Sequence, residues 1–149
     1  MQTAFARWAA VILAALALQT VSTRAGADDT RHIAIRGYDV VSYFTDGKPV
    51  KGISDISLPF DDATWQFANA SHREMFEADP DHYLPQYGGM CAGAMTMGAS
   101  VPANPENWVI VDGKLYMVAG GPAELADWKA HAAENIKHAD EQWAKLQGQ

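Results

Sequence analysis

Trp108-Val109-Ile110-Val111-Asp112-Gly113-Lys114-Leu115-Tyr116-Met117-Val118 places a β-hairpin in the chain before anything else is known of it. Two β-rich runs flank Asp112-Gly113, and Asp-Gly is a pair that favours a type I′ turn between antiparallel strands. Upstream, Ile56, Leu58 and Phe60 alternate with polar residues, as do Trp65 and Phe67. Period 2 over 56–60 and 64–67 predicts a second hairpin, joined by Asp61-Asp62-Ala63. Asn69 or Ser71 can cap a helix through Arg73, Glu74, Met75 and Phe76 that stops near Asp79-Pro80, and Tyr83-Leu84-Pro85 ends a further helical turn. Gly37-Tyr38-Asp39-Val40-Val41-Ser42-Tyr43-Phe44 reads as a short helix or tight turn, with Asp39 as a cap or a buried hydrogen-bonding group; residues 51–54 read as a loop. Pro122 can open a helix after Gly120-Gly121. Over 123–146, Leu125, Trp128, Ala132, Ile136, Ala139, Trp143 and Leu146 recur every three or four residues, one apolar stripe with a kink allowed near 132–135. No repeat or low-complexity tract is visible. The class is α+β, a small single domain with two β-hairpins packed against several helices and a long C-terminal helix.

The first 27 residues read as a signal peptide. Arg7 supplies the positive n-region, the run from Trp8 to Leu18 the apolar segment, and Ala25-Gly26-Ala27 the small-x-small cleavage site. That run is too short for a membrane span, and without a twin-arginine pair general secretion is the expected route. The expected organisation is therefore signal peptide 1–27, polar lead-in 28–36 and a domain over 37–146, in a periplasmic or secreted protein. The formal net charge of −7 argues against nucleic acid and anionic membrane surfaces as partners. A single cysteine cannot form an internal disulfide, so in an oxidising compartment Cys91 is buried, ligated or paired with another molecule.

Tyr87-Gly88-Gly89-Met90-Cys91-Ala92-Gly93-Ala94-Met95-Thr96-Met97-Gly98 holds that cysteine and three of the six methionines. Thiolate and thioether donors suit Cu(I) and similarly soft metals, whereas buried Met and Cys equally suit a core. If the segment is extended, period 2 puts the sulfurs of Met95 and Met97 on one face. His72 is either a further metal ligand or an exposed polar residue near a helix cap. His82 reads as surface, and His131 and His138 stand two helical turns apart, too far for one metal. Tyr38, Tyr43, Tyr83 and Tyr87 with Trp65 and Trp108 form either an aromatic core or a pocket rimmed by tyrosine hydroxyls that suits a planar organic ligand. No nucleophile–base pair, phosphate-cradling loop or paired-carboxylate signature is present.

Thr64-Trp65-Gln66-Phe67-Ala68-Asn69-Ala70-Ser71-His72-Arg73-Glu74-Met75-Phe76-Glu77-Ala78-Asp79-Pro80-Asp81-His82-Tyr83 resembles the core of the YHS domain. The segment from Gly37 to Phe44, Pro85-Gln86-Tyr87-Gly88-Gly89-x-Cys91-Ala92 and Trp108-x-x-x-Asp112-Gly113-Lys114-Leu115-Tyr116 look like the secreted bacterial branch of that family, as does Asn135-Ile136…Ala139-Asp140…Trp143. The resemblance implies metal binding through cysteines, two of which stand in that family where this chain has Ala68 and His72. A further Cys-Gly-Met falls in the region of Tyr38-Asp39-Val40. Some members of the secreted branch carry selenocysteine, expected at the position of Cys91, which implies a redox or metal role there. Tyr is usual in the branch where Met90 and Gly93 stand, so this is a Met-enriched version of the motif.

The expectation that follows is a periplasmic YHS-type accessory domain that binds a soft metal, copper in the first place, or acts as a redox-linked carrier or sensor. Cys91 is its anchor, Met90, Met95, Met97 and His72 its candidate co-ligands, and a metal ion or periplasmic protein its partner. The alternative is a metal-free binding module that uses an aromatic pocket or its surface for a small ligand or partner protein. A thiol-dependent enzyme is the third reading.

Overall fold

The computed structural model describes residues 31–148, so the signal peptide expected over 1–27 lies outside the described residues. In chain order the elements are β1 (His32–Ile33), α1 (Ser42–Thr45), β2 (Ile53–Phe60), β3 (Ala63–Phe67), α2 (Ala70–Ala78), α3 (Pro80–Tyr83), α4 (Ala92–Met95), β4 (Asn104–Val111), β5 (Lys114–Val118), α5 (Pro122–Ala130) and α6 (Ala132–Gln147). One sheet has the order β1-β3-β2 and the other is the β4-β5 hairpin. The α+β class, both hairpins and the long C-terminal helix are as expected. Strand β2 begins at Ile53, inside the segment read as a loop, because an irregularity between Ile53 and Ser57 breaks the alternation there. The lead-in is tied down where β1 pairs in parallel with β3.

Residues 35–130 pass twice through the same order of elements, a likeness of structure that the sequence does not show as a repeat; the two passes are called copies below. Each copy opens on three left-handed residues, Ile35, Arg36 and Gly37 (φ 37, 54 and 77) in the first and Tyr87, Gly88 and Gly89 (φ 57, 62 and 79) in the second. A bridge follows, Tyr38 to Lys51 and Met90 to Pro102. Beside it the Asp39 N–H donates to Val50 O at 2.8 Å and the Cys91 N–H to Val101 O at 2.7 Å. The hairpins then match pair for pair. Ile53↔Phe67, Leu58↔Trp65 and Phe60↔Ala63 recur as Asn104↔Val118, Val109↔Tyr116 and Val111↔Lys114, and each register is broken at the same place. Each copy ends on a nine-residue helix, α2 or α5. Phe76 of α2 stacks on Trp65 and Trp128 of α5 packs on Tyr116, both with centroids 5.4 Å apart.

The core includes Tyr43, Phe67, Phe76, Met95, Leu115 and Met117, all fully buried, and Tyr43 and Met95 each stand four residues after Asp39 or Cys91. The expected apolar stripe bends at His131, one residue before the range allowed for a kink, and Asn135 Nδ2 donates to Trp128 O at 3.1 Å across the break. Helix α6 closes over α4, with Tyr87 donating its phenol to Asp140 at 2.8 Å and its ring against Trp143. Among the described residues no helix is long and apolar enough to cross a membrane.

Backbone packs directly on backbone at one point. A Cβ at Gly52 would lie 2.4 Å from the main-chain carbon of Gln66, whereas Ala103, its counterpart in the second copy, is accommodated and buried. Gly52→Ala is therefore expected to lower unfolding free energy by roughly 2–3 kcal/mol in a urea titration, as an overpacked core position does. An unchanged midpoint would contradict the close approach.

Candidate functional site

The first copy is organised on Asp39, which is wholly buried. Its carboxylate accepts from the Val41 N–H at 2.9 Å, closing the turn into α1, and from the Ala68 N–H at 2.8 Å, the first amide after β3. His72 approaches the same carboxylate with Nδ1 at 2.6 Å from Oδ2. Since a carboxylate oxygen only accepts, this contact puts a proton on Nδ1. The far side of the ring meets Thr45 Oγ1, 3.2 Å from Nε2. Asn69 caps α2 by accepting from the His72 N–H at 2.8 Å, which fixes the entry of the helix and aims the ring inward. His72 is thus a buried partner of Asp39, not an exposed residue near a cap.

Cys91 holds the place of Asp39 in the second copy. Its sulfur accepts from the Ala94 N–H at 3.4 Å in the turn of α4 and from the Ala119 N–H at 3.1 Å, the first amide after β5. Here a cleft of about 450 Å³ opens beside the sulfur, bordered also by Met97, Glu124, Asp127 and Trp128. A Cβ added at Gly93 would stand 3.7 Å from both Cys91 Sγ and Trp128 Cδ1, so the sulfur and the Cδ1 atom of the indole flank the space over Gly93. Trp128 is 3% exposed, and its Nε1–H has no hydrogen-bond partner. Glu124 turns back along its own helix to accept from the Gly121 N–H at 2.9 Å, which holds its carboxyl below the usual carboxylate range. Among the described residues no Lys, Arg or His borders the cleft.

The five residues expected to share a metal do not share one place. Met95 is fully buried in the core, because 92–95 is helical rather than extended; Met97, two residues on, is 80% exposed at the cleft. Met90 borders a different groove with Pro102 and Gly88, and His72 belongs to Asp39. Cys91 and Met97 alone of the five border the same cleft. Among the described residues no group of three or more His, Cys, Asp or Glu side chains could hold a metal ion. Three of the tyrosine hydroxyls expected at a pocket rim are turned to separate partners. Tyr43 donates to Pro105 O at 2.8 Å, Tyr38 to Glu106 at 2.7 Å and Tyr87 to Asp140. Burial pushes the Tyr43 and Tyr87 phenols up, and for Tyr87 the bond to Asp140 adds to it. Sequence reading missed Trp128 and Gly93; their only signal is that a small residue and an indole replace Val41 and Phe76 of the other copy.

No family model, curated protein or solved structure matches the chain.

The two acceptors differ in strength, which gives a stability ordering. Asp39→Ala strands two backbone N–H groups and the His72 ring, and is expected to cost about 3–5 kcal/mol. Cys91→Ala strands the Ala94 and Ala119 N–H groups but takes from them only a weak sulfur acceptor and recruits no further side chain, for about 1–2 kcal/mol. Denaturant titration of both variants checks the ordering, and a Cys91→Ala loss equal to that of Asp39→Ala would contradict it.

Proposed function

We propose that the chain is a periplasmic binding domain of the YHS type, a carrier or sensor that holds a small organic ligand in the Cys91–Trp128 cleft. The observation that carries this is the indole N–H of Trp128, buried without a partner at the cleft wall. A buried donor left unmade costs roughly 1–3 kcal/mol, so such groups in folded proteins are nearly always paired, and an acceptor on a ligand would pair this one. The cleft volume of about 450 Å³ is that of a small-molecule site, for which roughly 300–1,000 Å³ is usual, and is generous for a bare ion. The periplasmic placement is supported by the leader pattern over 1–27, and the YHS assignment by the motifs of 64–83 and around Tyr87.

Gly93→Ala separates ligand binding from folding. The new methyl makes ordinary contacts at 3.7 Å and removes a glycine from a helical turn, so stability is expected to rise by about 0.5–1 kcal/mol. The methyl also stands between sulfur and indole, so any compound that raises the melting temperature of the native protein by binding the cleft should lose at least tenfold in affinity. A thermal-shift screen of small polar compounds on both proteins reads this out. Hits that stabilise Gly93→Ala as strongly as the native chain, or no hits at all, would refute the cleft as a ligand site.

A soft-metal reading is favoured by a separate observation, that Cys91 and Met97 offer two sulfur donors to one cleft. On this reading Cu(I), titrated against a competing chelator, binds more weakly to Cys91→Ser and to Met97→Leu and unchanged to Met90→Leu. Equal Cu(I) affinity of the native chain and Cys91→Ser would exclude it.

A further inference from the structure

We propose that the cleft takes a five-membered azole, the ring of an imidazole-bearing small molecule, in the place that the His72 ring fills in the first copy. The inference rests on the reading of the cleft as a ligand site and adds the chemistry of what enters it. In the first copy the imidazole is bracketed by Asp39 at Nδ1 and Thr45 at Nε2, beside Ala68 at the end of β3. The counterparts of Asp39, Thr45, Ala68 and His72 are Cys91, Met97, Ala119 and Glu124, and all four border the cleft. The walls around the His72 ring thus recur in the second copy, while the residue that replaces His72 folds away to Gly121. Gly93 in place of Val41 keeps the space open.

The donors and acceptors that face the space suit a neutral azole. Its N–H can donate to Cys91 Sγ as His72 Nδ1–H does to Asp39, and its bare nitrogen can accept from the Trp128 Nε1–H, which is buried in the free chain, once the indole turns toward the ring. Phe76, the counterpart of Trp128, has no such donor, and in the first copy it is Thr45 that meets the second nitrogen. Glu124 and Asp127 at the mouth, with no basic side chain among the cleft residues, suit an amine carried on the ring.

Histamine is the probe, and 2-cyclopentylethylamine, which keeps the amine and ring size but lacks both nitrogens, is its control. Calorimetric titration of the full mature chain should give histamine a Kd on the order of 1 mM or below, as a ligand of that size allows. The carbocyclic amine should bind at least tenfold more weakly. Glu124→His should supply the ring from the chain itself, abolish histamine binding and raise the melting temperature by several degrees. Glu124→Gln, which fills nothing but removes one of the two carboxylates offered to the amine, should weaken histamine binding without abolishing it and leave the preference over the carbocyclic amine in place. Equal affinity for the carbocyclic amine would overturn the azole while leaving the cleft as a ligand site. Absence of binding by either compound, while other small compounds stabilise the native chain and not Gly93→Ala, would do the same. Undiminished histamine binding to Glu124→His would overturn the equivalence with His72.

Discussion

A buried side-chain acceptor at the head of each copy, catching the first amide after the hairpin's second strand, is the contact on which the rest of the structure depends. Asp39 does this for Ala68 and Cys91 for Ala119. The same side chain closes the turn that starts α1 or α4, so one group ties three segments distant in sequence: entry turn, strand end and, through it, the helix that follows. Burying such an acceptor is tolerable only because its lone pairs are filled by backbone N–H groups that would otherwise go unpaired themselves. Once the hairpin is held at its end, α2 or α5 has one place to go, and Phe76 and Trp128 seal it against Trp65 and Tyr116.

Where the copies differ, the difference falls around that acceptor. A carboxylate can accept several strong hydrogen bonds, and Asp39 uses the capacity by recruiting His72 as well as two amides. A thiol sulfur is a weaker acceptor, and Cys91 takes only the two amides. Glu124 caps its own helix, so the residue in the place of His72 makes its hydrogen bond to Gly121 rather than to Cys91. Around Asp39 the space is filled by the His72 ring; around Cys91 it is open and lined by the thiol, an exposed thioether and Trp128.

Most of the fold was legible because hairpin and helix signals are local. Asp112-Gly113 turns at φ 50 and 74 as a type I′ pair does, and Asn69 rather than Ser71 caps α2. The likeness of the two copies was not legible, because few residues are shared between them. Gly37 and Gly89 match, as do Asp61 and Asp112, and these are positions of positive φ, where the backbone rather than the core selects the residue. The acceptor role is filled by an acid in one copy and a thiol in the other, which no pattern of like residues could link. Cys91, singled out as the lone thiol, lies at the Met97 cleft, but the spacing of Met95 and Met97 meant a helical turn, with one sulfur in the core and the other outside. Gly93 and Trp128 gain meaning only against Val41 and Phe76.

The most direct measurement on the cleft is the indole region of a ¹H–¹⁵N correlation spectrum of tryptophan-labelled protein, with and without an azole. The Trp128 Nε1–H should move downfield on addition, as a donor does when it gains an acceptor, while the signal of Trp65, also buried and unpartnered but distant from Cys91, stays in place. An unmoved Trp128 signal, or equal movement of both indoles, would contradict the cleft as the open counterpart of the His72 site.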